Sequence, residues 1–159
     1  MIILGIDPGT AATGYGLVGA LKKTRELKCI EYGCIATSPK HSPADRLNRL
    51  YTETSRLIVK YKPASLAIEN VYFFKNWKTA MPVSQAKGVI MLAAAKKKVP
   101  VFEYTPLQIK SAVVGYGRAE KQQVQRMIQV LLKLKTLPKP DDAADALGAA
   151  ICHIRAVPR

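Results

Sequence analysis

The sequence predicts an α/β fold, in which helices cover a mixed β-sheet. Short apolar runs that end at turn residues indicate buried strands, and the clearest is residues 2–6, directly before Asp7-Pro8-Gly9. Other segments carry apolar residues at helical spacing. Three strands precede the first helix, and strands and helices alternate after it. This order predicts antiparallel pairing at the start of the sheet and parallel crossovers in its second half.

The first half of the chain supplies a meander and a helix. After the strand at 2–6, strands are predicted at 14–21 and 27–36, separated by a basic turn. Ser42-Pro43 is a helix start, and the helix that follows ends before Pro63. Its apolar residues lie on one face: Leu47, Leu50, Leu57, Ile58 and Tyr61.

In the second half of the chain, predicted strands and helices alternate. A strand at 64–68 leads into a polar and aromatic loop at 70–78, and then a helix at about 83–97 and a strand at 99–104 follow. The segment Thr105-Pro106-Leu107-Gln108 has the pattern of a capping box. Further helices are predicted after it, around Val124 to Leu132, and from Asp141 after a proline-rich stop.

The length and the charge bound the function. A chain of 159 residues without internal repeats is about one domain long, so a single domain over 1–159 is expected. Twenty-five Lys and Arg against eleven Asp and Glu give a net charge of +14. Such a charge favours binding to a polyanion, and nucleic acid is the first candidate because phosphate neutralisation releases counterions. Dispersed lysines are a poorer match to a membrane surface.

The cellular compartment is predicted from the cysteines and from the lack of a membrane-spanning or signal-like segment. Cys29, Cys34 and Cys152 are odd in number and lie in apolar segments, which indicates reduced, buried thiols. The sequence has no apolar stretch of membrane-spanning length and no signal-like start. The cytoplasm is therefore the expected compartment, with no membrane partner.

Four acidic side chains stand apart from the others. Asp7 and Glu69 each follow a buried strand, and strand ends of an α/β sheet are where ligands commonly bind. Asp142 and Asp145 are three residues apart on the last helix, about 60° around its axis. Asp141 and Asp145 would share a face equally well, and Asp141 could simply cap the helix. Spacing alone does not choose between Asp141 and Asp142.

Converging carboxylates predict a metal site. Several of them aimed at one spot repel each other unless hard cations such as Mg²⁺ or Mn²⁺ lie between them. This site type suits phosphodiester hydrolysis with two metal ions about 4 Å apart. A basic exterior around an acidic centre thus indicates a metal-dependent nuclease.

These residues lie in stretches that resemble the RuvC family of crossover junction endodeoxyribonucleases. The resemblance covers nearly the whole chain, and the order and spacing of the stretches make it specific. They are Ile3–Gly16 (ILGIDPGTAATGYG), Ile68–Tyr72 (IENVY), Ser84–Gly88 (SQAKG), Pro100–Tyr104 (PVFEY), Val113–Gly117 with Ala119–Lys121 (VVGYG, AEK), and Asp142–Leu147 (DAADAL).

The resemblance implies a fold and a set of site residues. The fold is RNase H-like, a five-stranded mixed sheet flanked by helices, and the protein is expected to act as a homodimer. The family's metal ligands match Asp7, Glu69, Asp142 and Asp145, which leaves Asp141 as a neighbour. Two Mg²⁺ ions per site are expected, with Mn²⁺ as a substitute.

The resemblance also implies DNA contacts. Lys110 and Lys121 match basic positions near the scissile phosphate, and Arg118 is a further candidate. Tyr72 stands where relatives usually have Phe, a ring that contacts bases at the junction centre. Phe73 and Phe74 are candidates for the same stacking.

The leading hypothesis is symmetric resolution of four-way (Holliday) junctions in recombination and DNA repair. The family implies 5′-phosphate and 3′-hydroxyl products and cooperation with the RuvA–RuvB branch-migration complex. Three rival hypotheses are an RNase H-like nuclease acting on RNA or other branched nucleic acids, a non-enzymatic DNA-binding protein, and an ATPase of the actin-like or sugar-kinase-like type. The last needs two such domains, and the chain is long enough for one.

Overall fold

The structure is a computed structural model that describes residues 1–21, 24, 26–70 and 77–157. The strands are β1 (Ile2–Asp7), β2 (Ala12–Ala20), β3 (Leu27–Ala36), β4 (Ser65–Glu69) and β5 (Val101–Tyr104). The helices are α1 (Pro43–Tyr61), α2 (Trp77–Lys96), α3 (Pro106–Val114), α4 (Lys121–Leu131) and α5 (Asp141–Ala156).

The strands of the described residues form one mixed sheet in the order β3-β2-β1-β4-β5. The pairs β3–β2 and β2–β1 are antiparallel, whereas β1–β4 and β4–β5 are parallel. The predicted change from a meander to parallel crossovers is confirmed. As a consequence, β1 and β4 lie side by side and end at the same edge of the sheet.

Side-chain alternation divides the core between the two faces of the sheet. Leu4 and Ile6 of β1 pack with the apolar faces of α1 and α2. Ile3 directly precedes Leu4, so its side chain points to the opposite face and packs with α3, α4 and α5. Each fully buried Leu or Ile side chain contributes roughly 1.5–3 kcal/mol to stability. Asp7 continues the alternation of Ile3, so its side chain points to the α5 face.

Helix α5 is the most deeply buried helix of the described residues, and every residue from Ala143 to Ile154 is buried except Asp145. Small alanine side chains along this helix allow a close approach to the sheet, whereas Gly148 faces Ile109 and Val113 of α3 and Ile128 of α4. It contacts β1, β2 and β4 directly. The N-terminal turn of α5 therefore lies beside the edge where β1 and β4 end.

The helix starts follow the predicted capping pattern in two cases. The Ser42 side chain accepts a hydrogen bond from the Asp45 backbone N–H at the start of α1. Thr105 and Gln108 form the reciprocal capping box of α3. The sequence patterns at these two helix starts were therefore sufficient to place them.

The predicted start of α2 is wrong. The helix begins at Trp77 instead of about residue 83, and it includes Pro82. The fixed φ of proline is compatible with a helix, and its missing N–H leaves unpaired only one carbonyl of the preceding turn, near the helix start. The strands β2 and β5 also differ from the predicted bounds by about two residues at their starts.

None of the helices in the described part of the chain is long and apolar enough to span a membrane.

Candidate active site

Asp7 and Glu69 lie together at one edge of the sheet. They are the last residues of β1 and β4, and the preceding residues Ile6 and Ile68 are register partners in the parallel pair. Ile6 and Ile68 both point into the core beneath α1 and α2. Because successive side chains alternate, Asp7 and Glu69 both point to the face that α5 covers.

Two glycines bring α5 close enough to add its own carboxylates. A Cβ at Gly5 would lie 1.9 Å from the Ala146 carbonyl oxygen, and a Cβ at Gly14 would lie 1.9 Å from the Asp142 carbonyl oxygen. Gly14 is also the register partner of Asp7 on the neighbouring strand. The absence of a side chain at Gly14 therefore lets the first turn of α5 lie against the strand beside Asp7.

The pKa values show that the acidic side chains interact. Burial raises the pKa of Asp7 to about 8, and the negative charges of Glu69, Asp145 and Asp142 add to the increase. Burial raises the pKa of Glu69 to about 7, and the charge of Asp145 contributes. Burial also raises the pKa of Asp145. The four predicted ligands therefore lie in one partly buried group, in which each ionised carboxylate disfavours ionisation of its neighbours.

Two of the three predicted basic residues reach this group. Lys121 Nζ lies 3.4 Å from Asp145 Oδ2 and 3.1 Å from Asp141 Oδ2. Partial burial lowers the pKa of Lys121, but its bonds to the two carboxylates outweigh that effect and raise it. The half-buried Lys110 is close enough to lower the pKa of Glu69. Arg118 is exposed in the segment between α3 and α4.

Asp141 and Asp142 occupy different environments. Asp141 is exposed, and its side chain pairs with Lys121 and accepts a hydrogen bond from Gln125 Nε2 at 3.0 Å. The bond to Lys121 is the main reason that the pKa of Asp141 is lowered. Asp142 instead contributes to the raised pKa of Asp7. Both aspartates contribute to the raised pKa of Asp145, but only Asp142 also contributes to that of Asp7.

A clamp around the turn after Asp7 was not predicted. Arg46 of α1 donates from Nη2 to the Thr10 carbonyl oxygen at 2.7 Å and from Nε to Thr37 Oγ1 at 3.0 Å. The Thr37 hydroxyl also donates to the Thr10 carbonyl. Inside the turn, buried Thr13 donates to the Gly9 carbonyl at 2.7 Å. In the sequence Arg46 resembles any other charged residue of an amphipathic helix, so only its contacts identify it.

The donor set fits divalent cations. Carboxylate oxygens are the ligands that Mg²⁺ and Mn²⁺ prefer, and a cation among them would relieve the repulsion that raises their pKa values. In the described ranges no three His, Cys, Asp or Glu side chains are close enough to enclose an ion as they stand. Lys121 supplies positive charge beside Asp145 instead.

Three of the predicted DNA-contact residues, Tyr72, Phe73 and Phe74, lie outside the described residues.

A partly buried carboxylate group in a strongly basic α/β protein is typical of metal-dependent enzymes that act on nucleic acid. The family model "Crossover junction endodeoxyribonuclease RuvC" matches residues 3–153. The chain belongs to this family, whose nucleases are metal-dependent and have the RNase H-like fold.

Individual relatives are similar over nearly their whole length. The chain is 54% identical to a crossover junction endodeoxyribonuclease RuvC of Alkaliphilus metalliredigens over 153 residues, which is 96% of this chain and 92% of the relative. It is 51% identical to that of Finegoldia magna over 154 residues, 97% and 93% of the two chains. Thermus thermophilus RuvC, solved in complex with a Holliday junction substrate, superimposes with a TM-score of 0.91 at 33% identity, covering 96% of this chain and 92% of that one.

Proposed function

We propose that this protein is a metal-dependent endonuclease that resolves four-way DNA junctions, in one RNase H-like domain spanning 1–159. Asp7, Glu69, Asp142 and Asp145 hold the metal, with two Mg²⁺ ions per site and Mn²⁺ as a substitute. The observation that carries the proposal is the gathering of these carboxylates at one sheet edge, where burial, with the charges of acidic neighbours, raises the pKa values of Asp7 and Glu69. Carboxylates gathered at one partly buried point repel one another when they are ionised, and bound cations would offset that repulsion.

Each residue then has a defined task. When bound, divalent cations at such a site activate the attacking water and stabilise the leaving oxygen. The ends of β1 and β4 hold Asp7 and Glu69 on a rigid sheet, and α5 holds Asp142 and Asp145 against it. Lys121 and Lys110 place ammonium groups beside the same edge, where they would bind the phosphate that is to be cut.

Family membership and the relative solved with a Holliday junction support the four-way junction as the substrate. The products are nicked duplexes with 5′-phosphate and 3′-hydroxyl ends. Such a nuclease would act on chromosomal DNA in the cytoplasm, with the RuvA–RuvB complex as its partner. The free thiols of Cys29, Cys34 and Cys152 fit a reducing compartment.

A homodimer would supply two sites for paired nicks, because a two-fold dimer matches the approximate two-fold symmetry of a junction. Helix α2 offers a surface for it. Exposed residues recur on this helix at intervals of four and three: Met81, Gln85, Gly88, Leu92 and Ala95. Met81 is 69% exposed and Leu92 50% exposed, and a Cβ at Gly88 would meet no atom within 4 Å. We expect a second copy of the chain to pack its α2 on this stripe.

The proposal is tested by incubating the protein with a synthetic immobile junction and Mg²⁺ or Mn²⁺, and mapping the nicks on all four strands. We expect symmetric nicks on the junction and little cutting of linear duplex or RNA–DNA hybrid. Asp7→Asn should remove cleavage while junction binding survives. Cleavage by Asp7→Asn at the parental rate would refute the metal-site assignment, and preferential cutting of the hybrid would favour an RNA-directed nuclease.

A further inference from the structure

Lys87 of α2 links the ends of two neighbouring strands behind the candidate active site. Its Nζ donates to Asn70 Oδ1 at 3.1 Å and to Glu103 Oε2 at 2.6 Å. Asn70 directly follows Glu69, and Glu103 lies on the neighbouring parallel strand. The linkage therefore connects α2 to the ends of both β4 and β5, on the face of the sheet opposite to the carboxylates.

The environment of Lys87 differs from that of the other paired cations. Its side chain is 19% exposed, whereas every other Lys or Arg in an ion pair of the described residues is at least 52% exposed. An exposed ion pair contributes little to stability or geometry, because solvent competes for both partners. The side chain of Lys87 is mostly buried and its ammonium has two oxygen partners, so Lys87 can fix the position of what it binds.

Lys87 fixes the position of Asn70, the residue that follows Glu69. The Asn70 backbone N–H donates to the Tyr104 carbonyl at 2.7 Å, so its main chain is already anchored to β5. The side-chain bond to Lys87 adds an anchor from the other face. A cavity of about 200 Å³ lies beside the linkage and extends to Pro8, so close apolar packing does not hold Asn70 from this side. Without the ammonium, the end of β4 would lose its restraint towards α2.

We infer that Lys87 is a positioning residue that holds the end of β4, through Asn70, so that Glu69 is presented to the metal. Side chains alternate along a strand, so the direction of Asn70 sets the direction of Glu69. Lys87 also lies on the helix that carries the proposed dimer stripe, and it therefore links that helix to the catalytic edge. This inference rests on the proposed role of Glu69 as a metal ligand.

The test compares Lys87→Met with Lys60→Met. Lys60 also forms an ion pair, at 3.2 Å, but it lies on α1 and its partner Glu31 lies on β3, on the other side of the sheet from β4 and β5. Residues that orient metal ligands typically change affinity or activity about 10- to 100-fold when they are replaced. For Lys87→Met we expect the cleavage rate to fall about tenfold and the Mn²⁺ concentration for half-maximal cleavage to rise about tenfold.

Two measurements separate positioning from a general loss of structure. Mn²⁺ binding, followed by the electron paramagnetic resonance signal of free Mn²⁺ without DNA, should weaken in Lys87→Met and recover in Lys87→Arg. Junction affinity in EDTA should stay nearly unchanged, because Lys87 lies on the face of the sheet opposite to the carboxylates. Asn70→Ala removes the other end of the linkage with no change of charge. The double variant Lys87→Met/Asn70→Ala should be no worse than the poorer single variant, because both remove one interaction.

The outcomes distinguish this inference from the proposed function. If Glu69→Gln is inactive while Lys87→Met matches Lys60→Met in cleavage and Mn²⁺ binding, the nuclease assignment stands and the positioning role is wrong. If Glu69→Gln cuts at the parental rate, both are wrong. Should Lys87→Met unfold at the assay temperature, Asn70→Ala decides: parental Mn²⁺ binding in that variant overturns the inference.

Discussion

Gly14 of β2 lies directly against the backbone of Asp142 of α5, so that a Cβ on Gly14 would lie 1.9 Å from the Asp142 carbonyl oxygen. Gly14 is also paired in register with Asp7. A single contact between strand and helix therefore sets the distance between two of the proposed metal ligands. A backbone atom cannot rotate away as a side chain can, so any larger residue at position 14 must displace the helix.

We predict that Gly14→Ala impairs cleavage through this displacement. Overpacking typically costs about 1–3 kcal/mol of stability, and a misplacement of about 1 Å in an active site can cost about 100-fold in rate. Gly19→Ala on the same strand is the control, because a Cβ there would have its nearest neighbour, Ile30 Cδ1, at 3.4 Å. Thermal unfolding and single-turnover junction cleavage should be measured for both. Equal cleavage rates in the two variants would contradict the prediction.

The two adjacent aspartates at the start of α5 should behave differently. Asp142→Asn removes a proposed ligand, and we expect cleavage to fall by more than about 100-fold, beyond the usual effect of residues that only orient a ligand. Asp141→Asn removes an exposed partner of Lys121 and should change the rate less than about tenfold. The two variants carry the same chemical change one residue apart, so each is the control for the other. The reverse order of activities would assign Asp141 to the metal.

The raised pKa of Asp7 predicts how stability depends on pH without metal. Folded Asp7 has a pKa of about 8, against an ordinary value of 3.8, so the folded state retains a proton that the unfolded chain releases. Stability is therefore lost as the pH rises from about 4 to about 8. In EDTA, the melting temperature of the Asp7→Asn variant should depend less on pH across this range. Near the upper end of the range, the variant should be more stable than the parent.

Asp141→Asn is the control for this measurement. The pKa of Asp141 is lowered, so removing its carboxylate cannot reduce the loss of stability that occurs as the pH rises above the ordinary value of that pKa. Mn²⁺ should raise the melting temperature of the parent more than that of Asp7→Asn. A parent and an Asp7→Asn variant with identical pH dependence in EDTA would show that Asp7 is ionised at neutral pH in the metal-free protein.

The clamp formed by Arg46 should matter for activity more than for binding. Arg46→Met removes the donors to Thr10 and Thr37, which loosens the turn directly after Asp7, and we expect cleavage to fall about tenfold with junction affinity nearly unchanged. Arg49→Met is the matched control, an exposed arginine one turn further along the same helix. If both variants instead lose junction affinity but cleave at the parental rate when the protein is saturated with junction, Arg46 acts as a DNA contact.

The sequence determined the elements whose signals are local. Apolar runs that end at Asp7 and Glu69 placed these residues at strand ends, and the serine–proline pair at 42–43 placed the start of α1. These signals are readable because strand and helix periodicity and capping depend on residues only a few positions apart. The start of α2 was missed because Pro82 resembles a boundary, although a proline near a helix start is tolerated.

Only the tertiary structure decided which side chains meet. Spacing on a helix allows either Asp141 or Asp142 to accompany Asp145; the resemblance to the family favoured Asp142, and in the fold the contact of α5 with Gly14 places Asp142 beside Asp7. Arg46 bonds to Thr10 across 36 positions, and Lys87 bonds to Glu103 across 16. Such partners are set by how the helices pack on the sheet, and no periodicity in the intervening sequence records them. The sequence by itself therefore determined the acidic strand ends, whereas the packing of α1, α2 and α5 on the sheet determined how those acids are held.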